Sequence, residues 1–247
     1  MSLFHIALTL LISGPILNTI SARDSELGGS IEQTISQDPL FVSLGSSCTT
    51  AHMHRESGIR KAAFPFDWII SFDGEKLIEL LEEDFLHFLD LDFLKVEGQA
   101  LLNTCYHLEF LNEGDWAEAA CDIGEFSLKC QRRIHRFRQL GNYQGKIFFV
   151  RTAYPYSVTD PHRIWKFEEN IEISPEYAQK LFNTLKHYFP NSDFELVIIN
   201  GHTQAGFSIE GRPSDRILMA RIDGTINSYK NFYSQLRREE EPTTEEF

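Results

Sequence analysis

Cys48 stands directly behind Gly45-Ser46-Ser47, and any chemistry in this chain begins with that placement. Small residues suit a tight turn out of the apolar run Leu40 to Leu44 and into a helix from Cys48 to Ser57, stopped by Gly58. A thiol in the first turn of a helix meets unsatisfied backbone N–H groups and the positive end of the helix dipole, which favour thiolate over thiol. The N–H groups of the same turn, at Ser46 and Ser47, suit the oxyanion formed when a thiolate attacks an acyl carbon. The competing reading is packing alone, because a small buried cysteine fits a strand-to-helix turn without reacting.

A thiol nucleophile needs a base for its proton and a second group to orient that base. In open α/β sheets such groups collect beyond the carboxyl ends of the strands. Following the apolar runs to their ends gives Cys48 after the first, Arg151 after Lys146 to Val150, and His202 after Phe194 to Ile199. A nucleophile, a cation and a base would then share one edge of a parallel sheet. Arg151 suits a substrate carboxylate or phosphate, or a structural carboxylate such as Asp67. His52 shares a helix face with Cys48, but no Cys-x-x-Cys or His-Glu-x-x-His spacing accompanies it, so no metal or other cofactor is expected. Lys129, Arg132, Arg133, Arg136 and Arg138 form a dense basic group, read as an anion site or as the solvated face of a helix.

The elements around these residues alternate. Asp73 caps a stripe of Leu77, Leu80, Leu81, Phe85 and Leu89 that predicts a helix to Leu89, and Leu101 to Leu111 is strand-like. Phe126, Cys130, Ile134 and Phe137 recur at helical spacing up to Gly141, and Ser174-Pro175 opens a helix that runs to Tyr188. Ile217 to Ile222 reads as one more strand. Strands separated by helices of about 10–16 residues predict an α/β fold, one domain over 40–236 with a mainly parallel sheet flanked by helices.

Residues 1–22 contain no Lys, Arg, Asp or Glu. With an apolar core from Leu3 to Ile12 and Ile20-Ser21-Ala22 at its end, the segment reads as a secretory signal cleaved after Ala22. Cleavage makes the protein secreted or extracytoplasmic with no remaining membrane span; retention makes it membrane-anchored or cytoplasmic. A flexible lead-in over 23–39 and an acidic tail over 237–247 flank the domain. The 247 residues carry 23 Lys plus Arg against 36 Asp plus Glu, and this net charge of −13 argues against nucleic acid or anionic lipid as a partner. Four cysteines are too few for a disulfide scaffold, so a hydrophobic core must hold the fold, and 20 phenylalanines are available to fill it.

Two stretches in order, Ser43-Leu44-Gly45-Ser46-Ser47-Cys48 and Phe64-Pro65-Phe66-Asp67-Trp68, resemble the papain-like cysteine peptidase family of mostly uncharacterised bacterial and viral proteins. Lys129 to Phe137, Phe148 to Thr152 and Ile198 to Thr203 are similar to further segments of that family. The resemblance implies a thiol nucleophile at Cys48, and a papain-like α+β fold as the alternative to parallel βαβ units. It also brings in His107, because Tyr106-His107-Leu108-Glu109-Phe110 resembles the family's His-Asp-Phe segment, with Glu109 standing near the acidic position. Asp67 becomes a candidate orienting carboxylate, the alternative being a cap on the turn beneath Trp68. The resulting expectation is a cysteine peptidase or related thiol hydrolase or acyltransferase, with Cys48 activated by His202 or His107 and acting on a peptide or an acyl or amide substrate. The alternatives are a catalytically silent α/β ligand-binding domain and a secreted interaction domain.

Overall fold

A computed structural model describes residues 38–98, 100–110, 122–153, 172–201 and 203–239. The signal and most of the lead-in, the tail beyond Glu239, the aromatic stretch containing Tyr154, Tyr156 and Trp165, and His202 lie outside the described residues. In chain order the elements are β1 (Leu40–Ser43), α1 (Cys48–Glu56), α2 (Gly74–Glu82), β2 (Leu94–Glu97), β3 (Ala100–Asn103), β4 (Leu108–Phe110), α3 (Ile123–Gln139), β5 (Ile147–Thr152), α4 (Pro175–Tyr188), β6 (Phe194–Ile199), β7 (Phe207–Ser214), β8 (Ile217–Ile222) and α5 (Ile226–Glu239).

The main sheet has strand order β1-β5-β6-β8-β7. Its first three pairings are parallel and the β7 edge is antiparallel. The fold is α/β with a mainly parallel sheet. β5 and β6 are buried along their whole length, which is why their sequences are mostly apolar without alternation, Glu195 and the Arg151-Thr152 end being the polar exceptions. Successive side chains still point to opposite faces. Val42, Phe149, Leu196 and Ile217 lie in register in one row and belong to the larger core, with α2, α3, α4 and the small sheet. Val150, Val197 and Leu218 form a row of the opposite face, packed with Phe232, Tyr233 and Leu236 of α5. The larger core is aromatic: the Phe137 ring meets Phe66 at 5.6 Å and Phe189 at 5.2 Å, and Phe149 stacks on Phe189 at 5.5 Å.

β2, β3 and β4 form a separate antiparallel sheet. The strand expected over Leu101 to Leu111 is therefore two strands with a turn between them, in which His107 has φ 51°. α2 stops at Glu82 rather than Leu89, because Asp84 and Phe85 take φ of 48° and 62°. Arg138 holds that break by donating to the Asp84 carboxylate and carbonyl, each at 3.0 Å. β7 and α5 were not marked by the apolar pattern. β7 is a bulged, largely exposed edge carrying Pro213, and α5 shows only one face to the sheet. No helix of the described residues is long and apolar enough to cross a membrane.

His54 of α1 is buried among Phe41 and Tyr233, with its ring 5.2 Å from that of Tyr233. Burial first, and Arg60 second, pull its pKa down to about 3. Between the unfolded value of 6.5 and about 3 the unfolded chain binds a proton that the folded one refuses. Stability is therefore full above that window and is lost as pH falls through it, by up to ~1.4 kcal/mol per pH unit. His54→Phe should flatten this acid slope in urea midpoints measured at pH 7, 6 and 5; an unchanged slope assigns the acid sensitivity elsewhere.

Candidate active site

β1 ends at Ser43, whose Oγ accepts from the Gly45 N–H at 3.1 Å. Gly45 and Ser46 then take successive left-handed conformations, with φ of 76° and 75°. Ser47 returns to extended backbone and caps α1, its Oγ accepting from the Thr49 N–H at 3.3 Å. Cys48 is thus the first residue of α1, a half-buried free thiol. Two residues on, Thr50 Oγ1 lies 2.7 Å from Thr152 Oγ1, fastening the helix start to the end of β5. Among the described residues, the Ser47 and Cys48 N–H groups donate to no carbonyl or side chain.

The Phe64-Pro65-Phe66-Asp67-Trp68 stretch leads into Ile70–Asp73, and this segment lies between two other pieces of chain. On one side Ser71 donates its N–H to the Ser46 carbonyl at 3.0 Å, and the Ser46 N–H donates to Ser71 Oγ at 3.1 Å. On the other, Ile70 and Glu109 exchange backbone hydrogen bonds of 2.9 and 3.1 Å. Asp73 follows, and its Oδ2 lies 2.9 Å from His107 Nδ1 while its Oδ1 caps α2 through the Lys76 N–H. From α4, the Tyr177 hydroxyl donates to the Gly74 carbonyl at 2.9 Å and holds the same segment from a third direction.

Arg151 is 2% exposed at the end of β5. Its Nη1 donates to the Leu44 carbonyl at 2.8 Å and its Nη2 to the Ser71 carbonyl at 2.6 Å. Among the described residues no carboxylate lies within ion-pair distance, and Nε has no hydrogen-bond partner. Burial lowers the pKa of the guanidinium from the ordinary arginine value, while Tyr177 and Asp73 favour its charged form.

Asp67 does not sit on a described histidine. Its Oδ2 accepts from Arg60 Nη2 at 2.7 Å, Arg60 Nε at 3.1 Å and the Phe64 N–H at 3.1 Å. Arg60 and Arg55 stack over Trp68, 5.3 and 5.7 Å from the ring centre. Burial raises the Asp67 pKa above its ordinary value even though Arg60 opposes the shift. The turn-capping alternative for Asp67 matches this geometry, and the carboxylate on His107 is Asp73. Sequence reasoning saw Asp73 only as a helix cap; it misses the second role because a contact between residues 34 positions apart leaves no local pattern. Glu109 is buried in β4, and among the described residues the carboxylate within hydrogen-bond distance of His107 is that of Asp73. Among the described residues, no imidazole is hydrogen-bonded to the Cys48 thiol. His52 lies 3.0 Å from an Arg55 nitrogen on the surface of α1. The basic helix divides its cations: Arg132 is exposed, Arg133 is buried, Arg136 donates to the Ala63 carbonyl at 3.1 Å and Arg138 holds Asp84.

A mainly parallel α/β sheet thus carries Cys48 in the first turn of α1 at the carboxyl edge of β1, and the Ile70–Asp73 segment links that turn to the strand that follows His107. The chain belongs to the family described as "putative papain-like cysteine peptidase", which matches residues 39–205 and so contains every group above. Over 144 residues it is also 32% identical to an uncharacterised protein of Acanthamoeba polyphaga mimivirus, a match covering 49% of this chain and 64% of the viral protein. The chain therefore spans less than two thirds of that relative's length. No solved structure matches it.

Gly45 shows how tightly the Cys48 turn is built. A Cβ there would lie 2.8 Å from Ser71 Oγ and 3.3 Å from the Phe66 carbonyl, on a backbone that already needs positive φ. Gly45→Ala should lower the urea midpoint by the equivalent of about 1–3 kcal/mol, and a loss below that range would mean the Ser46–Ser71 approach is looser than this geometry.

Proposed function

We propose that this protein is a thiol hydrolase or acyltransferase acting on a peptide or other acyl substrate, with Cys48 as nucleophile and His107 as base, oriented by Asp73. The observation that carries the reading is the Ile70–Asp73 segment, bonded to the Cys48 turn through Ser46 on one side and to the His107 strand through Glu109 on the other. It ties the Cys48 turn to the strand that follows His107 through one short piece of chain, which supports pairing the two.

In the forward half-reaction, His107 takes the Cys48 thiol proton as the sulfur attacks the acyl carbon. The Asp73 bond at Nδ1 fixes the ring and makes Nε2 the nitrogen that exchanges the proton. The Ser47 and Cys48 N–H groups receive the tetrahedral oxyanion. His107 then returns the proton to the departing amine or alcohol, leaving an acyl group on Cys48. Water or an acceptor amine, deprotonated by the same imidazole, releases the acyl group as acid or as transfer product. The thiol and imidazole must close up when substrate binds, as hydrogen bonds between catalytic groups often do only in the complex.

His202 is the competing base, supported by its sequence position three residues after the end of β6. β6 lies two strands from β1, roughly 10 Å away. One experiment separates the two. At pH 7, iodoacetamide should modify Cys48 faster than Cys105, Cys121 or Cys130, and Cys48→Ala should remove that fast phase. His107→Ala should slow it about tenfold and lower hydrolysis of a peptide or ester library by about 10²-fold or more, with Asp73→Asn acting in the same direction. A loss confined to His202→Ala moves the base to that residue, and labelling of Cys48 only after denaturation ends the enzyme reading.

A further inference from the structure

Two consecutive residues at the end of β5 hold the Cys48 turn from both sides. Arg151 grips the Leu44 carbonyl, four residues before the thiol, and Thr152 meets Thr50, two residues after it. The same Arg151 fork reaches across to the Ser71 carbonyl, two residues before Asp73, and Nη1 also lies 3.4 Å from Ser71 Oγ. One rigid planar group thus touches both pieces of chain whose separation decides whether thiol and imidazole can meet. Along β5 its side chain leaves on the same face as Ile147 and Phe149, where it fills a core position that an apolar residue would otherwise occupy.

We infer that Arg151 is a positioning residue that sets the Cys48 turn against the Asp73–His107 arm. The inference rests on the Cys48–His107 reading. Burial keeps Arg151 off the substrate, so its expected role as a substrate anion anchor gives way to this one. Both carbonyls are neutral acceptors from separate segments, and no carboxylate of the described residues forms an ion pair with the fork. What the guanidinium supplies is a fixed distance. Lysine presents a point charge on a flexible stem and cannot make both bonds with the same spacing. A displacement of about 1 Å between reacting groups costs up to 10²-fold in rate, so loss of the fork should register in Cys48 chemistry before it registers in the fold.

The test uses the full chain and iodoacetamide, so it needs no known substrate. Arg151→Lys, Ser71→Ala, His107→Ala and the double variant Arg151→Lys/His107→Ala are compared for Cys48 labelling between pH 6 and pH 9 and for urea midpoint. Arg151→Lys should slow labelling at pH 7 about tenfold, converge with wild type by pH 9, and add nothing to His107→Ala in the double variant. Ser71→Ala, which removes an acceptor shared by Arg151 and the Ser46 N–H, should slow labelling about threefold and serves if Arg151→Lys does not fold. Wild-type labelling in Arg151→Lys or, where that variant does not fold, in Ser71→Ala overturns the inference, as does a double variant that loses the product of the two single losses. Either result leaves the His107 assignment standing if His107→Ala is slow. If His107→Ala labels like wild type while Arg151→Lys is slow, the base assignment fails, and with it the claim that Arg151 acts on the His107 arm.

Discussion

The buried guanidinium of Arg151 is the contact around which the end of β1 and the Cys48 turn are organised. Removing such a cation from water costs several kcal/mol, and here no carboxylate of the described residues sits against it to offset that cost. Two bonds from a charged donor to carbonyls, at about 1.5–3 kcal/mol each, roughly cancel the penalty. The arrangement is therefore close to neutral for stability, and what it contributes is geometry. Without it, the links among the described residues between the end of β1 and the Ile70–Asp73 segment would be the two Ser46–Ser71 bonds and the close approach at Gly45.

A second electrostatic group supports the first from behind. Asp67 draws together Arg60 and the Phe64 backbone, and Arg60 in turn stacks on Trp68. This fixes the turn from which Ile70–Asp73 emerges. The two motifs that mark the chain as a member of its family, the Gly-Ser-Ser-Cys turn and the Pro-Phe-Asp-Trp segment, thus meet in space. The glycine of one is needed because the serine that follows the other approaches so closely. The net charge of −13 says little about this region, which holds Arg55, Arg60 and Arg151. Acidity is a property of the whole chain and its tail.

The parallel core strands were legible because burial on both faces writes long apolar runs, and α1, α3 and α4 were legible from caps and helical spacing. The end of α2 was not. Its apolar stripe continues to Leu89, but Arg138 fixes a left-handed break at Asp84 that no local preference announces. The hairpin at His107 was hidden for a similar reason, since a positive-φ histidine between two strands carries no turn signature of the Gly or Asn kind. Cys48 could be marked as a candidate from its turn. The partner of His107 could not, because Asp73 looks like an ordinary helix cap and also serves as one.

The sequence alone marked candidate residues and, for Cys48 and Arg151, the elements on which they stand. A thiol behind a small-residue turn and an arginine closing an apolar strand follow from local chemistry and periodicity, whereas His107 enters through the resemblance of its segment to a family pattern. Tertiary structure decided their partners. Asp67 went to Arg60, Asp73 went to His107, and Arg151 went to two carbonyls and to no carboxylate. The physical reason is that hydrogen bonds and ion pairs are satisfied by proximity in space. Proximity between Leu44, Ser71, His107 and Arg151 exists only once the parallel sheet has brought β1 beside β5, and the Ile70–Glu109 bridge has joined the small sheet to the Cys48 turn.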